Sequence, residues 1–165
     1  MKRVHKLNKF SDARGWSLND IYAEFRRCAL SPEDSKHYDD CMGKNMDFQV
    51  NYSILHPGVI KAWHRHKHQD DFFCVLHGNA QVGVFSDELG EDGKLRGPEK
   101  HFIGETNPAI VHIKAGEWHG LTAVGNEPVG LLYLVTKQYD PRKPDEERAN
   151  CENFAPEGWW LPENK

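Results

Sequence analysis

The sequence predicts an all-β protein, one domain whose many short strands close into a barrel or double sheet. Three observations carry this expectation. Apolar residues alternate with polar ones at period two, the alternating runs are short, and most are bounded by glycine or proline turn signals. At 165 residues the chain is long enough to enclose a core and suits a single domain over 1–165.

The elements follow in order. Arg14-Gly15 reads as a turn at a strand start, and Asn19 to Arg27, with Ile21, Tyr22 and Phe25 near helical spacing, reads as one of few short helices. Phe48, Val50, Tyr52 and Ile54 interleave with Gln49, Asn51 and Ser53, the pattern of a half-buried strand with one apolar and one polar face. Asp71 to His77, then Gly78-Asn79, then Ala80 to Phe85 reads as a hairpin. Further strands are expected at Ile60 to His66, Ala109 to Ile113, Gly120 to Val124 and Val129 to Thr136, punctuated by Pro57-Gly58, Ala115-Gly116 and Gly125 to Pro128. Ser31 to Lys44 and Ser86 to Lys100 are polar and turn-rich, so they read as surface excursions. Trp63, Trp118, Trp159 and Trp160 read as core or subunit-contact residues rather than stacking platforms.

Composition narrows the partners. An apolar fraction of 38% and a charged fraction of 28% fit a globular chain, and Lys+Arg of 21 against Asp+Glu of 25 leaves no basic block for nucleic acid. No apolar stretch is long enough to cross a bilayer and the amino end has no hydrophobic signal segment, so a cytoplasmic protein without a membrane partner is expected. Cys28, Cys41, Cys74 and Cys151 form no C-x-x-C pair, which favours reduced thiols.

The chemistry concentrates in histidines. Five residues separate Gly58 from His64-Arg65-His66, four separate His66 from Asp71, and six separate Asp71 from Gly78. Two histidines spaced by two on a strand share a face and can reach one ion; Asp71 offers a carboxylate, and His119, beyond the turn at Ala115-Gly116, a third imidazole. The expected cofactor is one divalent metal ion held by His64, His66, Asp71 and His119. Iron, nickel, zinc and manganese all suit that set. His68 shares the parity of His64 and His66, and Asp70 adjoins Asp71, so either could displace a chosen ligand.

These two elements resemble the two cupin motifs, with Asp71 where Glu is usual, Lys114 in place of Pro and Ala123 in place of the closing Asn. The fold this implies is the cupin jelly roll, or double-stranded β-helix. A closer resemblance is to the dTDP-4-dehydrorhamnose 3,5-epimerase family. It rests on Asp12-Ala-Arg14-Gly15, Gln49-Val-Asn51-Tyr-Ser53, Gly58-Val-Ile-Lys61-Ala-Trp-His64, Lys114-Ala-Gly116-Glu-Trp-His119-Gly120-Leu121, Leu132-Tyr133, Thr136 and Tyr139-Asp-Pro141. The resemblance implies that Arg14 contacts a sugar-nucleotide phosphate, that Gln49 and Asn51 line the sugar pocket, and that His64 stands at the catalytic base. It also implies a homodimer in which an amino-terminal strand crosses over, so that Arg14 serves the neighbour's site.

The chain departs from that family where charge matters. Lys61 replaces its Arg and loses the bidentate fork. Asp71 replaces its substrate-polarising Lys, Gln138 falls on its catalytic Tyr unless Tyr139 shifts into place, and 150–160 holds no match for its base-supporting carboxylate. Those family enzymes work without metal; an ion held at Asp71 would do the work of the lost Lys, polarising a carbonyl and stabilising an enediolate. The expectation is therefore a metal-dependent isomerase or epimerase of a sugar or keto-sugar, with Glu117 or Tyr139 as proton-transfer group. The alternatives are a metal-free 3,5-epimerase, an iron-dependent dioxygenase and a non-catalytic sugar-binding cupin.

Overall fold

The computed structural model describes residues 4–6, 9–12, 15–18, 49–90, 92–137, 140 and 142–160. Twelve strands run through them: β1 (Val4–Lys6), β2 (Lys9–Asp12), β3 (Gly15–Leu18), β4 (Gln49–Leu55), β5 (Ile60–Arg65), β6 (Asp71–His77), β7 (Asn79–Phe85), β8 (Glu99–Gly104), β9 (Ala109–Ile113), β10 (Trp118–Ala123), β11 (Val129–Val135) and β12 (Glu147–Arg148). One antiparallel sheet has the order β1-β9-β6-β11-β4, a second the order β12-β5-β10-β7-β8, and β2 and β3 form a separate ribbon. Among the described residues there is no helix; the window Asn19 to Arg27 lies outside them.

The inner faces of the two five-stranded sheets meet in an apolar core that includes Leu55, Phe73, Val75, Val82, Ile103, Val111, Leu121 and Leu131. Each such side chain, fully buried, stabilises the fold by roughly 1.5–3 kcal/mol. The fold is the expected all-β jelly roll.

Two local expectations are corrected. The segments around Gly78-Asn79 are strands but not a hairpin: β6 pairs with β9 and β11, whereas β7 pairs with β8 and β10. The chain turns a corner between sheets there. Gly78 makes the corner possible, with φ of 69° and no room for a side chain, since a Cβ would sit 2.6 Å from the Pro128 carbonyl oxygen. The polar excursion ending at Lys100 also runs into a strand, β8, that alternation had not marked.

β4 presents its polar face to the interior, as the resemblance implies for Gln49 and Asn51. Its apolar face points outward, leaving Val50 60% and Tyr52 58% exposed, and its polar residues Gln49, Asn51 and Ser53 point into the barrel. Alternation identified the strand but not which face is inside.

The outer face of the second sheet is covered by 149–160. Trp63, Phe85, Trp118, Ala155 and Trp160 form this second core, with Trp159 packed against it. Gly83 is required beneath the cover, because a Cβ would meet the Trp160 ring at 2.5 Å.

Candidate metal centre and cavity

β5 and β10 are antiparallel neighbours, with His64 directly opposite His119 and the register shifting between His119 and Leu121. Their ring centroids are 4.1 Å apart, and the His66 ring lies 5.6 Å from that of His64 and 5.8 Å from that of His119. The fourth residue comes from the facing sheet. Asp71 opens β6, is buried, and places Oδ2 3.3 Å from His119 Nε2 and 3.8 Å from His66 Nε2. One donor atom from each of His64, His66, Asp71 and His119 lies within 4.8 Å of all the others.

The surroundings of these side chains orient them. His119 Nδ1 faces the Glu117 carbonyl oxygen at 3.1 Å, and His66 Nδ1 faces that of Asp145. A carbonyl only accepts, so each Nδ1 carries a proton and Nε2 is the nitrogen turned to the cluster. Among the described residues His119 Nε2 is buried without a hydrogen-bond partner, with Asp71 Oδ2 facing it at 3.3 Å. Gln69 Nε2 donates to Asp71 Oδ1 at 2.6 Å, which leaves Oδ2 turned toward the imidazoles. His64 is pushed down to about 2 by burial and by the adjacent His119 and His66, so its imidazole is neutral at physiological pH. Three imidazoles and one carboxylate around a common point fit a borderline divalent ion, and carbonyls on the far ring nitrogens are the usual second layer of such a site.

The open alternatives separate here. Asp70 is engaged elsewhere: its Oδ2 takes a hydrogen bond from His112 Nε2 at 2.8 Å and its Oδ1 one from Ala115 N–H at 2.9 Å. Against the opposing effect of burial, those bonds hold its carboxyl below the ordinary range. His68 is exposed at the cavity wall and lies outside the four-atom group.

The cluster opens into a cavity of about 660 Å³. Gln49, Asn51 and Ser53 form one wall, with Gln49 Nε2 donating to Asn51 Oδ1 at 2.7 Å, and Lys61, Tyr133 and Phe73 are also exposed to it. Glu117 is not among the lining residues. Its Oε2 accepts from Lys114 N–H at 2.7 Å and closes the turn before β10, and its carbonyl oxygen faces His119 Nδ1. Arg14 and Tyr139 lie outside the described residues.

A segment that sequence reasoning passed over completes the wall. Residues 147–149 lie along β5, where Glu147 and Arg148 of β12 pair with Arg65 and His64, and Trp63 exchanges backbone hydrogen bonds with Ala149 at 3.0 and 2.9 Å. Asp145 accepts from Lys67 N–H at 3.1 Å and His68 N–H at 2.9 Å, which hold its carboxyl low against slight burial. Glu147 binds Arg65 and Lys67, both at 2.7 Å. In sequence, Pro144-Asp-Glu-Glu-Arg148 reads as a solvated charged loop, and only its pairing to β5 shows what it touches.

Comparison with known proteins places this architecture. The spore coat polysaccharide biosynthesis protein SpsL of Bacillus subtilis is 36% identical over 147 residues, 88% of this chain and 85% of that protein. The probable low-salt glycan biosynthesis epimerase Agl13 of Haloferax volcanii is 42% identical over 147 residues, 88% of this chain and 83% of that one. Among solved structures, a dTDP sugar isomerase from Desulfovibrio desulfuricans G20 superposes with a TM-score of 0.69 at 19% identity, covering 95% of this chain and 89% of its own, which shows a shared fold. Residues 37–147 match the polysaccharide biosynthesis C-terminal domain, and the chain belongs to that family.

Proposed function

We propose that this chain is a metal-dependent epimerase or isomerase of a nucleotide-linked keto-sugar used in polysaccharide or glycan assembly, with one divalent ion held by His64, His66, Asp71 and His119. A single observation carries the reading: four donor atoms converge at a polar cavity, one of them, His119 Nε2, buried and facing the Asp71 carboxylate with no hydrogen bond among the described residues. The names of the two relatives, one of them an epimerase of glycan biosynthesis, support the substrate class.

Bound there, the ion would supply Lewis acidity toward a substrate carbonyl and acidify the adjacent C–H. The protein's own groups do the rest. The carbonyls of Glu117 and Asp145 fix the tautomers of His119 and His66, and Gln69 fixes the rotation of Asp71. The side-chain amides of Gln49 and Asn51 are placed to hydrogen-bond sugar hydroxyls. Lys61, Lys67, Lys137 and Lys143 border the same cavity and match the charge of a diphosphate. Arg14, contributed across a homodimer, and Tyr139 keep their places in this proposal on the family resemblance alone.

Incubation with a panel of nucleotide-linked 4-keto sugars in D₂O tests the reading. The expected result is deuterium uptake beside the carbonyl, lost on chelation and restored by a divalent ion. Uptake at an unchanged rate in fully demetallated protein would refute the metal-dependent mechanism.

A further inference from the structure

Asp71 joins the donor set from the first residue of β6, at the end of the ladder. Its register partners, Ile113 on β9 and Val135 on β11, are the last rungs on either side. The residue before it supplies the anchorage that the ladder no longer gives. Asp70 N–H donates to Thr136 Oγ1 at 3.0 Å, and Thr136 N–H donates to the Asp70 carbonyl oxygen at 3.1 Å.

The Asp70 carboxylate holds the other neighbour. Asp71 faces the cavity, whereas Asp70 Oδ2 accepts from Nε2 of His112, which alternates with the core residues Val111 and Ile113 and so stands on the outer face of β9. His112 is buried, and its ring stacks on that of Phe72 with centroids 4.4 Å apart and planes 13° from parallel. Asp70 Oδ1 accepts from Ala115 N–H at 2.9 Å, in the turn between β9 and β10. That turn is the junction of the site. Gly116 N–H donates to the His66 carbonyl oxygen at 2.7 Å, and the Glu117 carbonyl oxygen faces His119 Nδ1 at 3.1 Å. The turn therefore bonds to His66 and His119 directly, and the Asp70 carboxylate ties it to the residue beside Asp71. Hydrogen bonds to an ionised carboxylate are roughly twice as strong as neutral ones, which suits a link between separate strands.

We infer that Asp70, oriented by His112, is a positioning residue that sets the spacing between the Asp71 carboxylate and the imidazoles of His66 and His119, an inference that rests on the metal reading above. Asp70 touches neither the ion nor the substrate and acts through Asp71 and the turn 114–117. With the link cut, all four donors keep their chemistry, but the start of β6 and the turn are free to shift apart, and the cluster closes less well on an ion.

Cobalt(II) is the probe, because its visible d–d bands report ligand geometry and its affinity is read by competition with a chelating dye. The wild type is compared with Asp70→Asn, His112→Phe, His112→Gln and the double variant Asp70→Asn/His112→Phe, with the melting temperature of each metal-free protein recorded. Asp70→Asn removes the charge, and His112→Phe removes the donor while keeping a ring on Phe72. Each should weaken cobalt binding about 10–100-fold and shift the d–d bands. His112→Gln, which retains an N–H donor, should keep most of the affinity. The double variant should bind no more weakly than the weaker single one, since two residues that form one link are not additive. A purely structural pair would lower the melting temperature and leave the cobalt affinity and bands of the folded chains unchanged. That result in His112→Phe and Asp70→Asn, or in His112→Phe alone should Asp70→Asn fail to fold, overturns the inference and leaves the metal reading standing. Fully additive losses in the double variant also overturn it. A wild type that takes up no cobalt refutes the metal reading itself, and the inference with it.

Discussion

The two ends of the barrel interior are built on the same strands and do opposite work. Along β4 the inward residues run Gln49, Asn51, Ser53 and then Leu55; along β6, Asp71 and then Phe73 and Val75; along β10, His119 and then Leu121 and Ala123. Strand β11 runs the other way, from Val129 and Leu131 to Tyr133. One end is a packed apolar plug and the other a polar cavity. Inward parity gives a residue its address, while its chemistry decides whether that address stabilises the fold or serves the site. The apolar end also lets the polar end hold three imidazoles and a carboxylate together, an arrangement costly without a cation between them.

This division can be broken from either side. The largest effect is expected at the polar end: His119→Ala should lose the ion and lower turnover by more than about 10³-fold while the chain stays folded, as checked by elemental analysis, kinetics and circular dichroism. Where the plug meets the cavity floor, Leu131→Ala should cost about 2–4 kcal/mol in denaturant unfolding yet, as it touches no donor atom, leave one ion per folded chain. If that variant loses metal at full folding, the two ends are not separable. Asp145→Ala tests the wall between them. It removes the clamp on the loop after His66 and should weaken metal affinity about 10–100-fold in competition with a chelating dye, with little change in melting temperature.

The smallest effect concerns pH. His64 is pushed down to about 2 in the folded protein by burial and by its two histidine neighbours, so below the ordinary value of 6.5 the unfolded chain binds the extra proton. Stability of the metal-free protein is therefore full above pH 6.5 and falls as pH drops from there toward 2. Between pH 7.5 and 5.5 the loss should be about 1.4 kcal/mol, read from urea unfolding at the two pH values. His64→Asn should flatten that dependence.

The sequence made the donor set legible because period-two alternation and strand register need no knowledge of the rest of the fold. His64 and His66 share a face by spacing alone, and Asp71 precedes its turn glycine at a countable distance. Sidedness was not legible in the alternation and came only with the family resemblance. Nothing in the alternation of β4 says whether Val50 or Asn51 points inward, and here a cavity reverses the usual choice. Nor does Gly78-Asn79 distinguish a hairpin from a corner between sheets, since both need the same left-handed glycine; the pairing partners of β6 and β7 decide it. Asp145 and Glu147 were hidden for a third reason. A charged run beside a proline has the composition of a solvated loop, and its role depends on a pairing with β5 some eighty residues away.

The central claim is that the polar end of the barrel holds an ion. Elemental analysis of protein purified without an affinity tag tests it most directly, alongside His66→Ala and Leu131→Ala prepared in the same way. The account predicts about one divalent ion per chain in the wild type and in Leu131→Ala, and close to none in a folded His66→Ala. A wild-type protein that is fully active and free of bound metal would contradict it.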